Sequence, residues 1–267
     1  MPISSKFYKA KLNINKSFKM KNLEIKILEK KAKDLRRKVL DLSLEKGEAH
    51  LGGSFSEIEI LISLYNYFLC EEDKFILSKG HCSFPLYLLL KERGYNPKIS
   101  THPDIDIENR ICATTGSLGH GLPIGAGMAF AKKFKKESGN IYVLMGDGEC
   151  QEGTLHETMP LASKYGLDNL TVIVDNNKLQ ALDKVEEISH LNLKEIFSAL
   201  GGEVYEVKGH SFPEIFSALK TKNYGKPKII IAETIKGRGT SFMENNPKWH
   251  TRLPNKEELK KMYEELK

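Results

Sequence analysis

The sequence predicts an α/β fold in which helices cover both faces of a parallel sheet. Short apolar runs that are typical of buried strands alternate with segments of helical length along the chain. The two clearest runs, IYVLM at residues 141–145 and LTVIV at residues 170–174, are followed by Gly146 and Asp175. A chain of 267 residues can bury about 70% or more of its unfolded surface. Because no internal repeat or long linker interrupts the pattern, we expect one α/β domain.

The first helix is predicted from about residue 23. Apolar residues recur there at steps of three and four, which places them on one face of a helix. These residues are Leu28, Ala32, Leu35, Val39 and Leu42. The basic residues of this segment then lie on the opposite face, in water.

Helices and strands alternate after this first helix. Loops rich in glycine, or in proline, aspartate and histidine, are predicted at residues 47–53 and 96–121. Further helices are predicted at residues 56–68, 84–94, 124–135, 152–165 and 211–219. Strands are predicted at residues 74–77, 141–145, 170–174, 203–207 and 228–234. This order is typical of βαβ units, which form parallel sheets.

Positive charge is concentrated at the N-terminus. The chain has 41 Lys and Arg against 35 Asp and Glu, a formal charge of +6. Residues 1–39 hold 13 basic and three acidic side chains, a local charge of +10, so the rest of the chain carries −4. We interpret residues 1–21 as a disordered basic tail, with Met20 as the hypothesised native start, and residues 22–267 as the folded domain. The tail has no nucleic-acid-binding motif, so its charge does not predict that function.

The composition excludes several classes of protein. No apolar run approaches the roughly 18 to 20 residues that span a bilayer, and the N-terminus lacks the apolar region of a secretory signal. The cysteines are widely spaced and form no C-x-x-C pair, so neither a disulfide framework nor a zinc ribbon is predicted. They are Cys70, Cys82, Cys112 and Cys150. We therefore expect a cytoplasmic protein with reduced cysteines.

The most informative residues follow the strands predicted at 141–145 and 170–174. Asp147 stands between Gly146 and Gly148, and Asn177 comes thirty positions after it. Flanking glycines let a bulky anion approach the backbone, and the helix that follows directs its positive dipole to the same place. A carboxylate and an amide oxygen are ligands that Mg²⁺ or Ca²⁺ prefers. If the two strands are neighbours, the sequence predicts a metal-bridged diphosphate site at the carboxyl ends of the strands.

A G-D-G turn by itself is a weak indication, because such turns are common in surface loops. The indication of a functional site becomes stronger because Asp147 and Asn177 stand at the ends of two successive strands with one helix between them. The chain has neither the G-K-S or G-K-T of a P-loop nor G-x-G-x-x-G spacing at this strand end. The chain therefore lacks the loops that usually bind the phosphates of nucleoside triphosphates and NAD.

Residues 146–180, GDGECQEGTLHETMPLASKYGLDNLTVIVDNNKLQ, closely resemble the thiamine diphosphate motif of transketolases. Four other motifs occur in the family's order and spacing: AHLGGS at 49–54, ILSKGH at 76–81, TTGSLGHG at 114–121 and IKGRGTSFMENNPKWH at 235–250. The resemblance covers residues 22–267. Transketolases usually continue with a pyrimidine-binding domain and a C-terminal domain, so the chain is similar to the N-terminal subunit of a split transketolase.

The resemblance implies a metal site. In transketolases the aspartate of G-D-G, the asparagine after the next strand and a backbone carbonyl two residues further on hold the divalent cation. The corresponding residues are Asp147, Asn177 and Leu179. The cation would be Mg²⁺, although Ca²⁺ or Mn²⁺ would also suit, and Gly146 and Gly148 would lie against the diphosphate.

A second cofactor loop is implied at Gly116, Ser117 and Leu118. These residues correspond to the family's Gly-Pro-Leu loop, with Ser in place of Pro. Because the backbone does the binding there, we expect this change to matter little. The leucine would lie under the cofactor rings.

Four of the eight histidines match active-site positions of the family: His50, His81, His102 and His250. The resemblance implies that His81 and His250 contact the diphosphate. It also implies that His50, His102 and His250 bind hydroxyls of the donor and move protons, for which imidazole is suited near neutral pH.

The remaining polar residues near the motifs receive weaker interpretations. His120 stands where the family often has Gln, and three further histidines match nothing and are interpreted as surface residues. They are His156, His190 and His210. Glu152 has a position that the family uses for acid contacts across the subunit interface, and Glu149 and Glu157 are equally compatible with a role as acids at a helix N-terminus. We interpret Cys150 as a packing residue.

The resemblance implies transfer of a two-carbon ketol unit from a ketose to an aldose, with thiamine diphosphate as the source of the nucleophilic carbon. The glutamate that activates this cofactor, and the arginines that bind substrate phosphate, belong to the domains that this chain lacks. A partner with a pyrimidine-binding domain, assembled as an α2β2 heterotetramer, is therefore implied.

Several questions of function stay open in the sequence. Pentose phosphates are the default substrates of the family, and a pathway-specific transketolase that acts on an unusual or nucleotide-linked sugar is the alternative, because the residues that bind substrate phosphate would lie on another chain. The G-D-G metal motif also occurs in the thiamine-dependent subunit of 2-oxo acid dehydrogenases, which is the second candidate for the enzyme class. A non-catalytic binding protein that keeps the same fold is the third candidate.

Overall fold

A computed structural model describes residues 20–48, 50–181, 183–189 and 191–267. The predictions for the tail at residues 1–19 and for His190 lie outside the described residues. The first helix begins at Asn22.

The centre of the structure is a five-stranded sheet. Its strands are β1 (Lys74–Leu77), β2 (Ile141–Gly146), β3 (Leu170–Asn176), β4 (Glu203–Lys208) and β5 (Lys228–Glu233). The spatial order is β1-β2-β3-β5-β4, and every pairing is parallel. The predicted parallel sheet is confirmed, and each predicted strand agrees with the observed one to within two residues at either end.

Helices surround the sheet. They are α1 (Asn22–Lys46), α2 (Leu51–Ser56), α3 (Ile58–Ser63), α4 (Phe84–Glu92), α5 (Gly121–Lys135), α6 (Gly153–Lys164), α7 (Val185–Ile188), α8 (Leu193–Ala199), α9 (Phe212–Lys220) and α10 (Lys256–Glu265). A π-helical turn follows α3 at Leu64–Phe68, and short 3₁₀ turns occur at Gly80–Cys82, Gly148–Gln151 and Pro247–Trp249. The sequence predictions did not include α7, α8 or α10.

Successive residues of the strands pack alternately into two apolar cores, one on each face of the sheet. Leu144, Ile173 and Ile230 pack into the core beneath α1 to α4 and α9. Their chain neighbours, among them Val143 and Val172, pack into the core beneath α5, α6 and α8. Helices therefore cover both faces of the sheet, which also confirms the fold class.

The prediction of a loop at residues 47–53 is wrong from Leu51 onward, where α2 begins. The two glycines of α2 permit close packing rather than a flexible loop. A Cβ atom on Gly52 would lie 2.9 Å from the carbonyl oxygen of Trp249, and one on Gly53 would lie 2.6 Å from the sulfur of Cys82. Both distances are too short for real contacts, so only glycine lets α2 approach these segments.

In the described part of the chain, no helix is long and apolar enough to cross a membrane. None of the four cysteines, all of which lie in the described part of the chain, takes part in a disulfide bond.

Candidate active site

The site lies at the carboxyl ends of β2 and β3, which are neighbours in the sheet. Gly146 pairs with Asp175 in this ladder, so the residues after each strand emerge side by side. The amide of Gly148 donates to Oδ1 of Asp147 at 2.8 Å, and the amide of Lys178 donates to Oδ2. The strand order thus brings the Asp147 turn against the turn that follows β3, as the sequence pattern predicts.

The turn after β3 presents polar atoms to Asp147. Lys178 has a φ of 65°, a left-handed conformation that costs a non-glycine residue about 1 to 3 kcal/mol. This conformation directs its amide at Asp147. The side-chain oxygen of Asn177 accepts from the amide of Leu179 at 3.1 Å, and its nitrogen lies 3.4 Å from Oδ2 of Asp175.

The predicted metal ligands fit a small divalent cation by their chemistry. They offer a carboxylate, an amide oxygen and a backbone carbonyl oxygen, which hard cations prefer. Burial, and then the nearby carboxylate of Asp175, raise the pKa of Asp147 to about 6, although backbone hydrogen bonds and the charge of Lys79 oppose the rise. Among the described residues, no group of three or more His, Cys, Asp or Glu side chains is placed to hold a metal. A cation at Asp147 would therefore need the oxygens of Asn177 and Leu179 as well.

The four predicted histidines meet in one cluster. The ring centroid of His50 lies 5.2 Å from that of His81, 5.6 Å from that of His250 and 6.5 Å from that of His102. The rings of His81 and His250 are 5.5 Å apart. The cluster gathers residues from the start of α2, the turn after β1, the loop before α5 and the end of the closing motif.

These histidines are neutral at pH 7. Burial, followed by the charges of neighbouring histidines and Lys236, lowers the pKa of His50 to about 4. Burial and Lys79 lower the pKa of His81 to about 4, and burial and Lys236 lower that of His250 to about 3. Burial also lowers the pKa of His102. A neutral imidazole both donates and accepts one hydrogen bond, which suits a site that binds hydroxyl groups.

Lys236 links the metal-ligand turn to the histidine cluster. Its side chain is buried, and its ammonium group lies 2.9 Å from the carbonyl oxygen of Gln180, 3.4 Å from that of Leu179 and 3.0 Å from Nδ1 of His250. Burial lowers its pKa to about 8. The sequence predictions gave Lys236 no role, although the lysine lies within the motif at 235–250.

Glu149 is predicted to be an acid at a helix N-terminus, and the structure gives it a further role. Its buried carboxylate accepts hydrogen bonds from the Ser78 hydroxyl, from the amide of Gly119 at 2.8 Å and from that of Gly146 at 3.1 Å. The amide of Gly121 donates in turn to the Ser78 hydroxyl at 3.1 Å. Glu149 therefore joins the ends of β1 and β2 to the loop before α5.

That loop contains the predicted residues Gly116, Ser117 and Leu118. Gly116 has a φ of 144°, and a Cβ atom there would lie 3.0 Å from the ring of His102. The Ser117 hydroxyl lies 3.2 Å from Nδ1 of His120, and the Leu118 side chain is 36% exposed. The loop thus lies beside the histidine cluster with an apolar side chain free to contact a ligand.

A buried ion pair lies beneath the site. The Lys79 ammonium group contacts Asp175, lies 3.3 Å from Oε2 of Glu57 and donates to the carbonyl of Gly53 at 3.0 Å. Burial would raise the pKa of Asp175, but the charge of Lys79 lowers it below its usual value. Burial raises the pKa of Glu57 well above its usual value. Lys79 and Asp175 together tie α2 and the turn after β1 to the end of β3.

The remaining predictions have mixed outcomes. Glu152, His156 and Glu157 are exposed, and Cys150 is buried in the core. The prediction that His210 is a surface residue is wrong, because its side chain is only 15% exposed. His210 lies in the turn after β4. This turn packs over the end of β5, where the amide of Gly209 donates to the carbonyl of Glu233 at 2.6 Å.

An open cleft of about 850 Å³ adjoins the metal-ligand turn. It runs along the carboxyl ends of β3, β5 and β4, and Asp147, Asn177, Leu179 and His210 contribute to its lining. The cleft therefore opens beside Asp147, Asn177 and Leu179, while the four clustered histidines do not line it.

Comparisons with known proteins show which family the chain is similar to. The family model for "Transketolase, thiamine diphosphate binding domain" matches residues 28–266. An apulose-4-phosphate transketolase subunit of Actinobacillus succinogenes is 38% identical, over 92% of this chain and 98% of its own. A 6-deoxy-6-sulfo-D-fructose transketolase subunit from Clostridium sp. (strain MSTE9) is 34% identical, over 90% of this chain and 96% of its own. The crystal structure of a transketolase from Campylobacter jejuni superposes with a TM-score of 0.80 and 30% identity, over 90% of this chain but 43% of that chain.

Proposed function

Because the chain belongs to the transketolase family, we propose that it is the cofactor-holding N-terminal subunit of a split transketolase. It transfers a two-carbon ketol unit from a ketose to an aldose. One observation carries the proposal: four histidines and the Asp147–Asn177 pair of turns meet at one edge of the sheet, linked by Lys236. The chain matches 98% of the length of a relative that is named as a subunit, but only 43% of a full transketolase. These proportions fit the role of one subunit of two.

The proposed cofactors are thiamine diphosphate and Mg²⁺. Asp147, Asn177 and the carbonyl of Leu179 would hold the cation, and the backbone at Gly146 and Gly148 would lie against the diphosphate. When bound, thiamine diphosphate supplies a nucleophilic carbon and an electron sink for cleavage of a carbon–carbon bond.

The histidines and Lys236 bind the anionic groups of the cofactor and the hydroxyl groups of the substrate. Lys236 supplies a buried positive charge beside the diphosphate position. An ammonium group only donates hydrogen bonds, so Nδ1 of His250 accepts at 3.0 Å and the ring proton of His250 resides on Nε2. His50 and His102 bind substrate hydroxyls and exchange protons with them, which neutral imidazoles do without introducing net charge.

For the substrate, we propose a pathway-specific sugar rather than the usual pentose phosphates. This choice rests on the names of two relatives, which mention apulose-4-phosphate in one case and 6-deoxy-6-sulfo-D-fructose in the other. Both names describe an anionic ketose with an unusual carbon skeleton or substituent.

The proposed partner is a chain with a pyrimidine-binding domain, in an α2β2 assembly. The names of the two relatives describe each of them as one subunit of a transketolase, which supports a partner. An aromatic cluster on α5 and α6 supports an assembly as well. Phe134 is 79% exposed and stacks on Phe130, which contacts Tyr165 at 4.8 Å between ring centroids. Exposed apolar clusters of this kind are typical of surfaces that other chains cover.

The test is to purify the chain together with the protein encoded beside it and to assay ketol transfer. Apulose-4-phosphate, 6-deoxy-6-sulfo-D-fructose and a pentose ketose phosphate are offered as donors to an aldose acceptor. We expect transfer by the complex with one of the first two donors, and none by the isolated chain. Rapid transfer by the chain alone would contradict the need for a partner. Oxidative decarboxylation of a 2-oxo acid with an artificial electron acceptor, in place of ketol transfer, would contradict the proposed reaction.

A further inference from the structure

His210 is held on both sides of its ring. Its Nδ1 lies 3.0 Å from Oε2 of Glu59, and its Nε2 accepts a hydrogen bond from the amide of Ile235 at 2.8 Å. A backbone amide can only donate, so Nε2 carries the lone pair and the ring proton resides on Nδ1. The contacts therefore select one neutral tautomer of His210, which donates to Glu59.

The Glu59 carboxylate is itself fixed. Arg36 of α1 donates to its Oε2 at 2.7 Å and to the carbonyl of Phe55 at 2.9 Å, and both charged side chains are buried. Burial would raise the pKa of Glu59, but the Arg36 charge and the hydrogen bond from His210 lower it to about 2. Glu59 is thus an anion that must accept, and it orients His210 as a carboxylate orients a metal-binding histidine.

On the other side of its ring, His210 accepts from the amide of Ile235, the residue that directly precedes Lys236 in the chain. The segment 235–237 is anchored at both ends, since His210 holds the amide of Ile235 and the carbonyl of Gly52 accepts from the amide of Gly237 at 2.9 Å. Lys236 lies between these two anchors. Its ammonium group contacts the carbonyl of Leu179 and Nδ1 of His250.

We propose that His210 is a positioning residue: by holding the amide of Ile235 it directs Lys236 to Leu179 and His250, and so raises the affinity of the site for thiamine diphosphate with Mg²⁺. A continuous path of contacts leads from Arg36 of α1 and Glu59 of α3 through His210 to the segment that carries Lys236. The part of this inference that concerns the cofactor rests on the function proposed above, whereas the placement of Lys236 does not.

The test compares His210→Ala, His210→Gln and a matched control, His156→Ala, in the complex with the partner chain. His156 is exposed. Thiamine diphosphate is titrated calorimetrically at saturating Mg²⁺. We expect His210→Ala to weaken binding by about 10- to 100-fold, the usual cost of losing an outer-shell partner. Glutamine offers one donor and one acceptor, so His210→Gln is expected to restore most of the affinity.

A second measurement needs no cofactor. In the free chain, NMR titration follows the ring protons of His250. Loss of the Ile235 anchor lets Lys236 move from His250, so His210→Ala is expected to raise the pKa of His250 above its value of about 3, and His210→Gln to leave it low. In the wild-type chain, the ¹⁵N shifts of His210 are expected to show the Nδ1–H tautomer.

The outcomes separate this inference from the proposed function. If His210→Ala binds thiamine diphosphate as the wild type does, or if His210→Gln loses as much affinity as His210→Ala, the positioning role is wrong. If His210→Ala does not fold, the positioning role is still tested by the tautomer of His210 in the wild type and by the affinity of His210→Gln for thiamine diphosphate. A wild-type complex that binds no thiamine diphosphate would contradict the proposed function, while the His250 titration would still test the placement of Lys236.

Discussion

The ammonium group of Lys236 lies 3.0 Å from Nδ1 of His250, and the same group reaches the carbonyl oxygens of Leu179 and Gln180. One buried cation therefore serves both the histidine cluster and the turn that presents the metal ligands. A single positive charge at this point favours an anion in the site, and together with burial, the larger cause, it lowers the pKa of His250.

Replacing Lys236 with methionine is expected to raise the pKa of His250 from about 3 toward the ordinary value of 6.5. Burial is the larger cause of the lowered pKa and persists in the variant, so we expect the rise to stop short of 6.5. NMR titration of the His250 ring in the free chain measures it. Lys184→Met, on an exposed lysine of the adjoining cleft, is the control and should leave His250 unchanged. An unchanged pKa in Lys236→Met would show that Lys236 does not act on this ring.

The buried histidines predict that the chain loses stability in mild acid. The pKa of His81 is about 4 in the folded chain against 6.5 as the ordinary value, so the unfolded chain takes up the proton first as the pH falls. The free energy of unfolding is therefore unaffected by this ring above about pH 6.5 and falls between about pH 6.5 and 4. For this ring the loss amounts to about 3 kcal/mol, and the lowered pKa values of His50 and His250 act in the same direction.

Urea unfolding of the cofactor-free chain at pH 7, 6, 5 and 4 measures this loss. In His81→Asn the decrease in the free energy of unfolding between pH 7 and pH 4 should be smaller by about 3 kcal/mol than in the wild type. The control His156→Asn, at an exposed position, should show the same decrease as the wild type. Equal pH dependence in His81→Asn and the wild type would contradict the prediction.

Much of the fold follows from local patterns. The apolar runs of β2, β3 and β5 and the apolar face of α1 indicate where these elements lie. The segment at Gly52 and Gly53 misleads because glycine is typical of loops, whereas here its missing side chain lets α2 approach Trp249 and Cys82. The many polar residues of α10 leave a weak apolar pattern, and Met262 is its one residue classed as buried.

The site could be predicted as far as its motifs extend. Asp147, Asn177 and three of the histidines (His50, His81 and His250) lie in the recognisable motifs, whereas His102 lies in the loop between two of them. Adjacency of β2 and β3 is enough to join the two turns. The roles of Lys236, Glu149 and His210 depend instead on contacts between segments far apart in the chain. Lys236 contacts Leu179 across 57 positions and Glu149 contacts Ser78 across 71. No local pattern indicates which loops pack together over such distances.

Removing the predicted metal carboxylate tests the cofactor site directly. Asp147→Asn keeps the shape of the side chain but removes its charge, so we expect Mg²⁺-dependent binding of thiamine diphosphate to the complex to weaken by about 100-fold or more, beyond the usual outer-shell effect. Isothermal titration with and without Mg²⁺ measures it. Asp183→Asn, at an exposed position near the same edge, is the matched control. Binding by Asp147→Asn at wild-type affinity would rule out this ligand.

Glu149→Gln is expected to destabilise the chain and loosen the loop that carries Leu118. The two carboxylate oxygens accept from donors on opposite sides: Oε1 from Ser78 and Gly119, and Oε2 from Gly146. A glutamine keeps one acceptor oxygen and turns an NH₂ group toward a donor on the other side, which leaves a buried donor unpaired. The cost is about 1 to 3 kcal/mol. Urea unfolding measures it, and hydrogen exchange at Gly119 and Gly121 should quicken in the variant. Glu157→Gln, at an exposed position of α6, should change neither quantity, and an equally small effect of Glu149→Gln would show that its carboxylate does not hold the loop.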